Sequence, residues 1–195
     1  IVAGWDAATP AGFSFVLKAS QRITHIARLK NVDEPLRYFL ETARALGPKL
    51  GPILFQLPPN FKKDVGRLGG LLDLLPAGLR CAFEFRHESW FAADVYARLR
   101  GANAALCLAD TEDETTPLEV TANWGYLRLR LEHYSDADLD HWADRLTASG
   151  WDHSFVYFMH EQWFRVVGNA GRRDQERAWM RTQAAGFGVT ITERA

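Results

Sequence analysis

Short runs in which apolar and polar side chains alternate are separated by stretches in which apolar residues recur at helical spacing. In residues 13–19, Phe13, Phe15 and Leu17 share one face, with Ser14, Val16 and Lys18 on the other, which is the period of a strand. Residues 31–47 read as a helix: Asp33 is placed to cap it, Pro35 lies in the first turn, Leu36, Phe39, Leu40, Ala43 and Leu46 form a stripe, and Gly47 with Pro48 stops it. Residues 50–57 are apolar except for Gln56 and are closed by Pro58 and Pro59, the form of a strand buried on both faces. A second helix is expected after Asp64, with Val65, Leu68, Leu71, Leu72 and Leu75 buried.

Residues 79–86 alternate again, so that Phe83 and Phe85 oppose Glu84 and Arg86. A helix is expected over 92–101, with Val95, Tyr96 and Leu99 facing inward, and an apolar strand over 105–110 ending on Asp110. The acidic, threonine-rich connection 111–123 is longer than most links between elements. It leaves the carboxyl end of a strand and is expected at the charged end of the sheet, as a lid or a stand-in for an anionic ligand. Residues 125–131 set Leu127, Leu129 and Leu131 against Tyr126, Arg128 and Arg130. Ser135 is placed to cap a helix with Leu139, Trp142, Ala143 and Leu146, ended by Gly150. The last clear strand is 155–161, where Val156, Phe158 and His160 share a face; a helix over 174–185 and a strand over 189–192 are weaker patterns. Strands alternating with helices through short links argue for an α/β fold with a parallel sheet of six strands.

At 195 residues and 47% hydrophobic content, the chain is long enough for one domain with a real core. A formal net charge of -1 provides no global field to draw it onto nucleic acid or an anionic membrane. Cys81 and Cys107 lie in apolar runs and read as reduced, buried thiols, so the cytoplasm is the expected compartment. No apolar run has the length of a membrane span.

In parallel sheets with helical crossovers, ligands sit at the carboxyl ends of the strands. Those ends carry Lys18, Gln56, Glu84 with Arg86, Asp110, Arg128 with Arg130, and His160. Period-two parity is read as placing each of them opposite its strand's bulky apolar set, except in 50–57, where both faces are apolar. Four cations against the carboxylates of Glu84 and Asp110 make this mouth locally positive, and an anionic small molecule is the natural ligand for arginine's planar fork. The competing reading is an ion-pair network that holds the interior and binds nothing. His25, His87 and His160 have no metal-binding spacing with Glu84 or Asp110, so no metal is assigned, and the sequence names no cofactor.

Five motifs in order carry a resemblance: residues 13–29, residues 50–61, Phe-Glu-Phe-Arg-His-Glu-Ser-Trp at 83–90, Tyr-Leu-Arg-Leu-Arg at 126–130, and residues 157–161. They resemble the YecE-like family, domain-of-unknown-function family seventy-two. The resemblance implies a TIM-type (β/α)8 barrel of unassigned biochemical role. Residues 13–19 and 155–161 stand where that fold has its third and eighth strands. It therefore implies a single barrel domain truncated at its start, an open sheet with those two strands as its edges, and an atypical tail over 162–195. The positions it carries over are Lys18, Thr24, His25, Gln56, Glu84, Arg86, His87, Trp90, Asp110, Arg128 and His160.

Three functions compete. One is an enzyme, a hydrolase or an isomerase, acting on a phosphate-bearing small molecule. In it Lys18, His25, Gln56, Arg86, His87, Trp90, Arg128 and Arg130 bind the substrate, Glu84 is the general base, His160 the acid, and Asp110 a further catalytic carboxylate. The second is a nucleic-acid or nucleotide binding module that stacks bases on Trp90 and Trp124, which the near-neutral charge disfavours. The third is an inactive barrel fragment. On these readings Arg128→Ala should abolish ligand binding at little cost to the fold, whereas Phe85→Ala should cost several kcal/mol, roughly the large-to-small core penalty.

Overall fold

The computed structural model describes residues 2–112, 115–159 and 164–166. Six strands run parallel and pair in chain order: β1 (Phe15–Lys18), β2 (Leu50–Gln56), β3 (Cys81–Glu84), β4 (Ala105–Asp110), β5 (Trp124–Leu129) and β6 (His153–Met159). Among the described residues, β1 has one neighbour, β2. The strand at 153–159 is not an edge, contrary to the sequence expectation. A three-residue strand, β7 (Phe164–Val166), pairs antiparallel with it, with Tyr157 opposite Val166, because a short return of the chain takes up the backbone groups that a parallel neighbour would otherwise use.

The sheet is curled. Arg80, just before β3, reaches His153 at the start of β6, with Nη1 2.7 Å from Nε2, and its guanidinium lies over the Phe155 ring. Those strands are three places apart, about 14 Å in a flat sheet at the usual strand spacing.

Helix α1 (Val2–Ala8) precedes β1, and α2 (Asp33–Ala43), α3 (Val65–Leu74), α4 (Ala93–Gly101) and α5 (Asp136–Ala148) lie in the connections after β1, β2, β3 and β5. Asp64 caps α3 by accepting from the Arg67 backbone N–H, and Ser135 with Asp138 forms a reciprocal capping box on α5. Asp33 is not the cap of α2. Val32 holds that position without a side-chain bond, and Asp33 sits in the first turn, where its charge complements the helix dipole. The helix expected to run to Gly47 ends at Ala43 and continues as a 3-10 segment, Arg44–Lys49, in which Gly47 takes φ 51°.

The two faces of the sheet bury different residues. On the helix side, Phe55, Phe83, Leu106, Leu108, Leu127 and Leu129 pack with Leu36, Leu68, Leu71, Val95, Leu99 and Trp142 from the helices. On the concave side, Leu54, Ala82, Ala105, Cys107, Trp124 and Tyr126 form a separate, smaller cluster joined by Val16, Phe155 and Tyr157. Both cysteines are free and buried; burial pushes the Cys81 thiol up to about 12 and the Cys107 thiol well above its usual range. No described helix is long and apolar enough to cross a membrane.

Candidate functional site

Glu84, the last residue of β3, is 1% exposed although its side chain is a carboxylate. Strand alternation forces this: with Phe83 and Phe85 committed to the helix side, Glu84 must point into the concave interior. A buried carboxylate needs partners, and side chains from β2, from β5 and from just beyond β3 supply them. Gln56, which ends β2 in register with Glu84, donates its Nε2 to Glu84 Oε1 at 2.8 Å. Arg86 donates Nε to the same oxygen at 3.1 Å. Arg128, on β5, binds Glu84 Oε2 through Nη1. Lys18, which ends β1, extends the chain by donating Nζ to Gln56 Oε1 at 2.7 Å. Residues from β1, β2, β3 and β5, far apart in sequence, thus meet in one hydrogen-bonded string.

The electrostatics follow from this arrangement. Burial alone would push the Glu84 carboxyl up, but Arg128, Gln56 and Arg86 together hold it below the usual glutamate range, in the ionised form. Burial opposes the Arg128 charge, and Glu84 more than restores it. Lys18 is held below the usual lysine range by its partial burial and by Arg128, with Arg86 and Arg130 adding to the effect against Glu84. Arg128 is only 12% exposed, whereas Arg86 is 34% exposed and uses only Nε. Among the described residues, neither the two terminal nitrogens of Arg86 nor the Arg130 guanidinium has a hydrogen-bond partner. Among the described residues, four cations face a single carboxylate here.

Other expected site residues stand elsewhere. Asp110 does not join the mouth: it shares strand parity with Leu106 and Leu108, on the helix side, and accepts from Tyr134 Oη at 3.0 Å and from Thr115 Oγ1 at 2.8 Å. The parity expectation fails for it because the bulky residues of β4 are its even-numbered ones. His87 Nδ1 accepts from the Ser89 backbone N–H at 3.2 Å and so caps the short turn Glu88–Trp90. Trp90 is fully buried, stacked on Phe85 at 4.7 Å and donating Nε1 to the Phe61 carbonyl at 2.6 Å. Trp124 is 1% exposed in the concave cluster. Neither indole offers a free face for stacking a base. His160 lies outside the described residues, as do the patterns at 174–185 and 189–192.

His25 lies in a π-helical turn, Arg22–Ile26, that follows β1; its Nδ1 is 2.8 Å from Thr24 Oγ1, and burial with Lys18 and Arg86 holds it below the usual imidazole range. Thr24, which is 1% exposed, was legible only from the resemblance.

Of the 111–123 connection, Thr111 and Glu112 leave β4 at the charged end and residues 115–123 run back along β4; Asp113 and Glu114 lie outside the described residues. Thr116 bonds both backbone groups of Ala109, and Thr121 takes the Leu106 N–H and donates to the Ala104 carbonyl. Glu119 is held by Arg100 of α4 at 2.6 Å. These residues strap β4 and do not cover the mouth. A shallow groove lined by Leu36, Leu40, Leu74 and Pro76 with charged residues of α2 is a separate surface feature.

Comparison with known proteins agrees with this architecture. The chain is similar to a DUF72 family protein from Thermotoga maritima MSB8, with a TM-score of 0.67 at 22% identity over 78% of this chain and 68% of that one. It is also similar to one from Enterococcus faecalis V583, with a TM-score of 0.66 at 19% identity over 97% and 84%. In sequence it is 32% identical over 93 residues to UPF0759 protein YecE of Escherichia coli K12, a match covering 47% of this chain and 34% of that relative's own length. The family described as "Protein of unknown function DUF72" matches residues 1–185, and the chain belongs to it.

Proposed function

We propose that the mouth of the curled sheet binds a small molecule through a phosphate or carboxylate group, with Arg86, Lys18 and Arg130 as ligands and the Glu84–Arg128 pair as their fixed support. The observation that carries this reading is Arg86. Its Nε is anchored on a buried carboxylate at 3.1 Å while its two terminal nitrogens have no partner among the described residues. A guanidinium held in that way has lost its freedom before the ligand arrives, and its remaining donors match the spacing of two anionic oxygens. A purely structural ion pair would use those donors internally.

Glu84 is better suited to positioning than to proton transfer, since three donors keep it ionised and make it a weak base. The reading therefore assigns binding, not a reaction. Calorimetric titration with inorganic phosphate tests it. Saturable binding is expected, weakened about tenfold or more in Arg86→Ala, on the scale of a charge-assisted hydrogen bond. Binding of a single-stranded oligonucleotide with steep salt dependence, and none of phosphate, would favour a nucleic-acid module and sink this reading.

A further inference from the structure

We propose that His25 takes up a proton when a dianion such as sulfate or phosphate occupies the mouth, so that ligand and proton bind together; the inference rests on the anion-binding reading of that mouth. The turn that carries His25 is built to hold it at the rim. After the Ala19 N–H bonds the Leu54 carbonyl of β2 at 2.9 Å, the chain leaves β1 and winds into the π-helical turn Arg22–Ile26. Ile23 and Thr24 are buried at 0% and 1%, Ile26 is exposed, and His25 between them is half-buried. Single π turns are rare and concentrate at functional sites.

The contact with Thr24 serves both protonation states. Thr24 Oγ1 is 2.8 Å from His25 Nδ1 and 3.4 Å from the Ser20 carbonyl. With a neutral imidazole, the hydroxyl can donate to Nδ1. With an imidazolium, Nδ1–H donates to Oγ1 and the hydroxyl turns to the Ser20 carbonyl. Protonation thus leaves no buried donor or acceptor orphaned.

Burial first, and then the charged groups facing it, set the state of His25. Lys18 approaches from β1 and Arg86 from beyond β3, and both oppose an imidazolium. The charged residues of α2, which packs beside the turn, are Asp33, Glu34, Arg37 and Glu41, and with Arg44 just beyond it they line the groove with Leu74 and Pro76. Arg28, further along the same connection, lies over the Phe61 ring. Burial and the two cations Lys18 and Arg86 together favour the neutral imidazole. With Glu84 as the single carboxylate among the described residues against Lys18, Arg86, Arg128 and Arg130, a dianion offsets more of the excess charge than a monoanion does, and it adds an acceptor for an imidazolium at the rim.

Sulfate is the cleaner probe, because it does not titrate near neutrality and any proton taken up belongs to the protein. Its binding should be measured by calorimetry between pH 5.5 and 7.5 in two buffers of different ionisation enthalpy. The apparent enthalpies should differ between buffers, and affinity should strengthen as pH falls, by up to about tenfold per pH unit, the limit for one linked proton. In His25→Gln, sulfate should still bind, with the two enthalpies equal and the pH profile flattened. Titration of the wild-type histidine rings by NMR provides a readout independent of the variant: the His25 pKa should rise when sulfate is added to saturation. Proton uptake persisting in His25→Gln, or a His25 ring whose pKa is unmoved by sulfate, would overturn the inference while leaving the anion site standing. Absence of any sulfate binding to the wild type would overturn the anion-site reading and this inference with it.

Discussion

The two faces of β3 divide the work of the protein within a few residues. On the helix side, Phe83 and Phe85 are nearly inaccessible and extend through stacked rings from Phe55 to Trp90. On the concave side, Ala82 is followed by Glu84, a buried charge that exists only because Gln56, Arg86 and Arg128 converge on it. The first face gains stability from apolar area and is insensitive to pH. The second contributes stability only while its partners are complete, and in return holds arginines in place. The comparison teaches that stability and site can be perturbed separately, although the residues concerned alternate along one strand.

The largest break in that separation is expected at Arg128. The expectation that Arg128→Ala costs little is at odds with the geometry, since the guanidinium is 12% exposed against a carboxylate that is 1% exposed. Its removal leaves Glu84 with only Arg86 and Gln56, and should cost about 3 kcal/mol, the lower part of the range for breaking a buried pair. The deficit should shrink in acid, as Glu84 becomes protonated, and urea unfolding at several pH values would show it.

A related effect follows from Glu84 itself. Its folded-state pKa lies below the unfolded one, so its contribution is complete above the ordinary glutamate value of about 4.3 and is lost as pH falls through the folded-state value. Glu84→Gln should therefore be less stable than the wild type at neutral pH and lose less stability on acidification. Equal acid sensitivity of the two proteins would show that the carboxylate does not carry this linkage.

A smaller effect belongs to the helix side. A Cβ on Gly125 would lie 2.3 Å from the Trp151 ring, so Gly125→Ala should cost about 1–3 kcal/mol by overpacking. Phosphate affinity should be unchanged, because this contact faces away from the mouth.

Much of this was legible in the sequence because period two is rigid inside a strand. Glu84, Arg86, Lys18 and Arg128 converge as their parity and their places near strand ends imply, and Gln56 joins them from its strand end alone, since both faces of 50–57 are apolar. Legibility fails where the period ends or is misread. Beyond Glu84 the chain tightens into the turn Glu88–Trp90, so His87 becomes a cap and Trp90 swings into the core, neither of which alternation can foretell. Asp110 has the chemistry of a site residue at a strand end, but it sits on the same parity as the leucines of β4. The strapping of β4 by Thr116 and Thr121 was hidden for another reason: it depends on backbone groups of β4, and these carry no side-chain signature. β7 is three residues long, too short for any periodic pattern.

The most direct test compares two adjacent residues on opposite faces, Phe85→Ala and Arg86→Ala, by thermal melting and by phosphate titration of each. Phe85, 2% exposed and stacked on Trp90, should cost about 3–5 kcal/mol on truncation, with the phosphate dissociation constant unchanged. Arg86, 34% exposed and bound to Glu84 through Nε alone, should cost about 1 kcal/mol, well short of the Phe85 loss, while phosphate affinity falls tenfold or more. If both variants lose stability alike, or if Arg86→Ala binds phosphate as the wild type does, the arginine is structural and the division between the two faces is wrong.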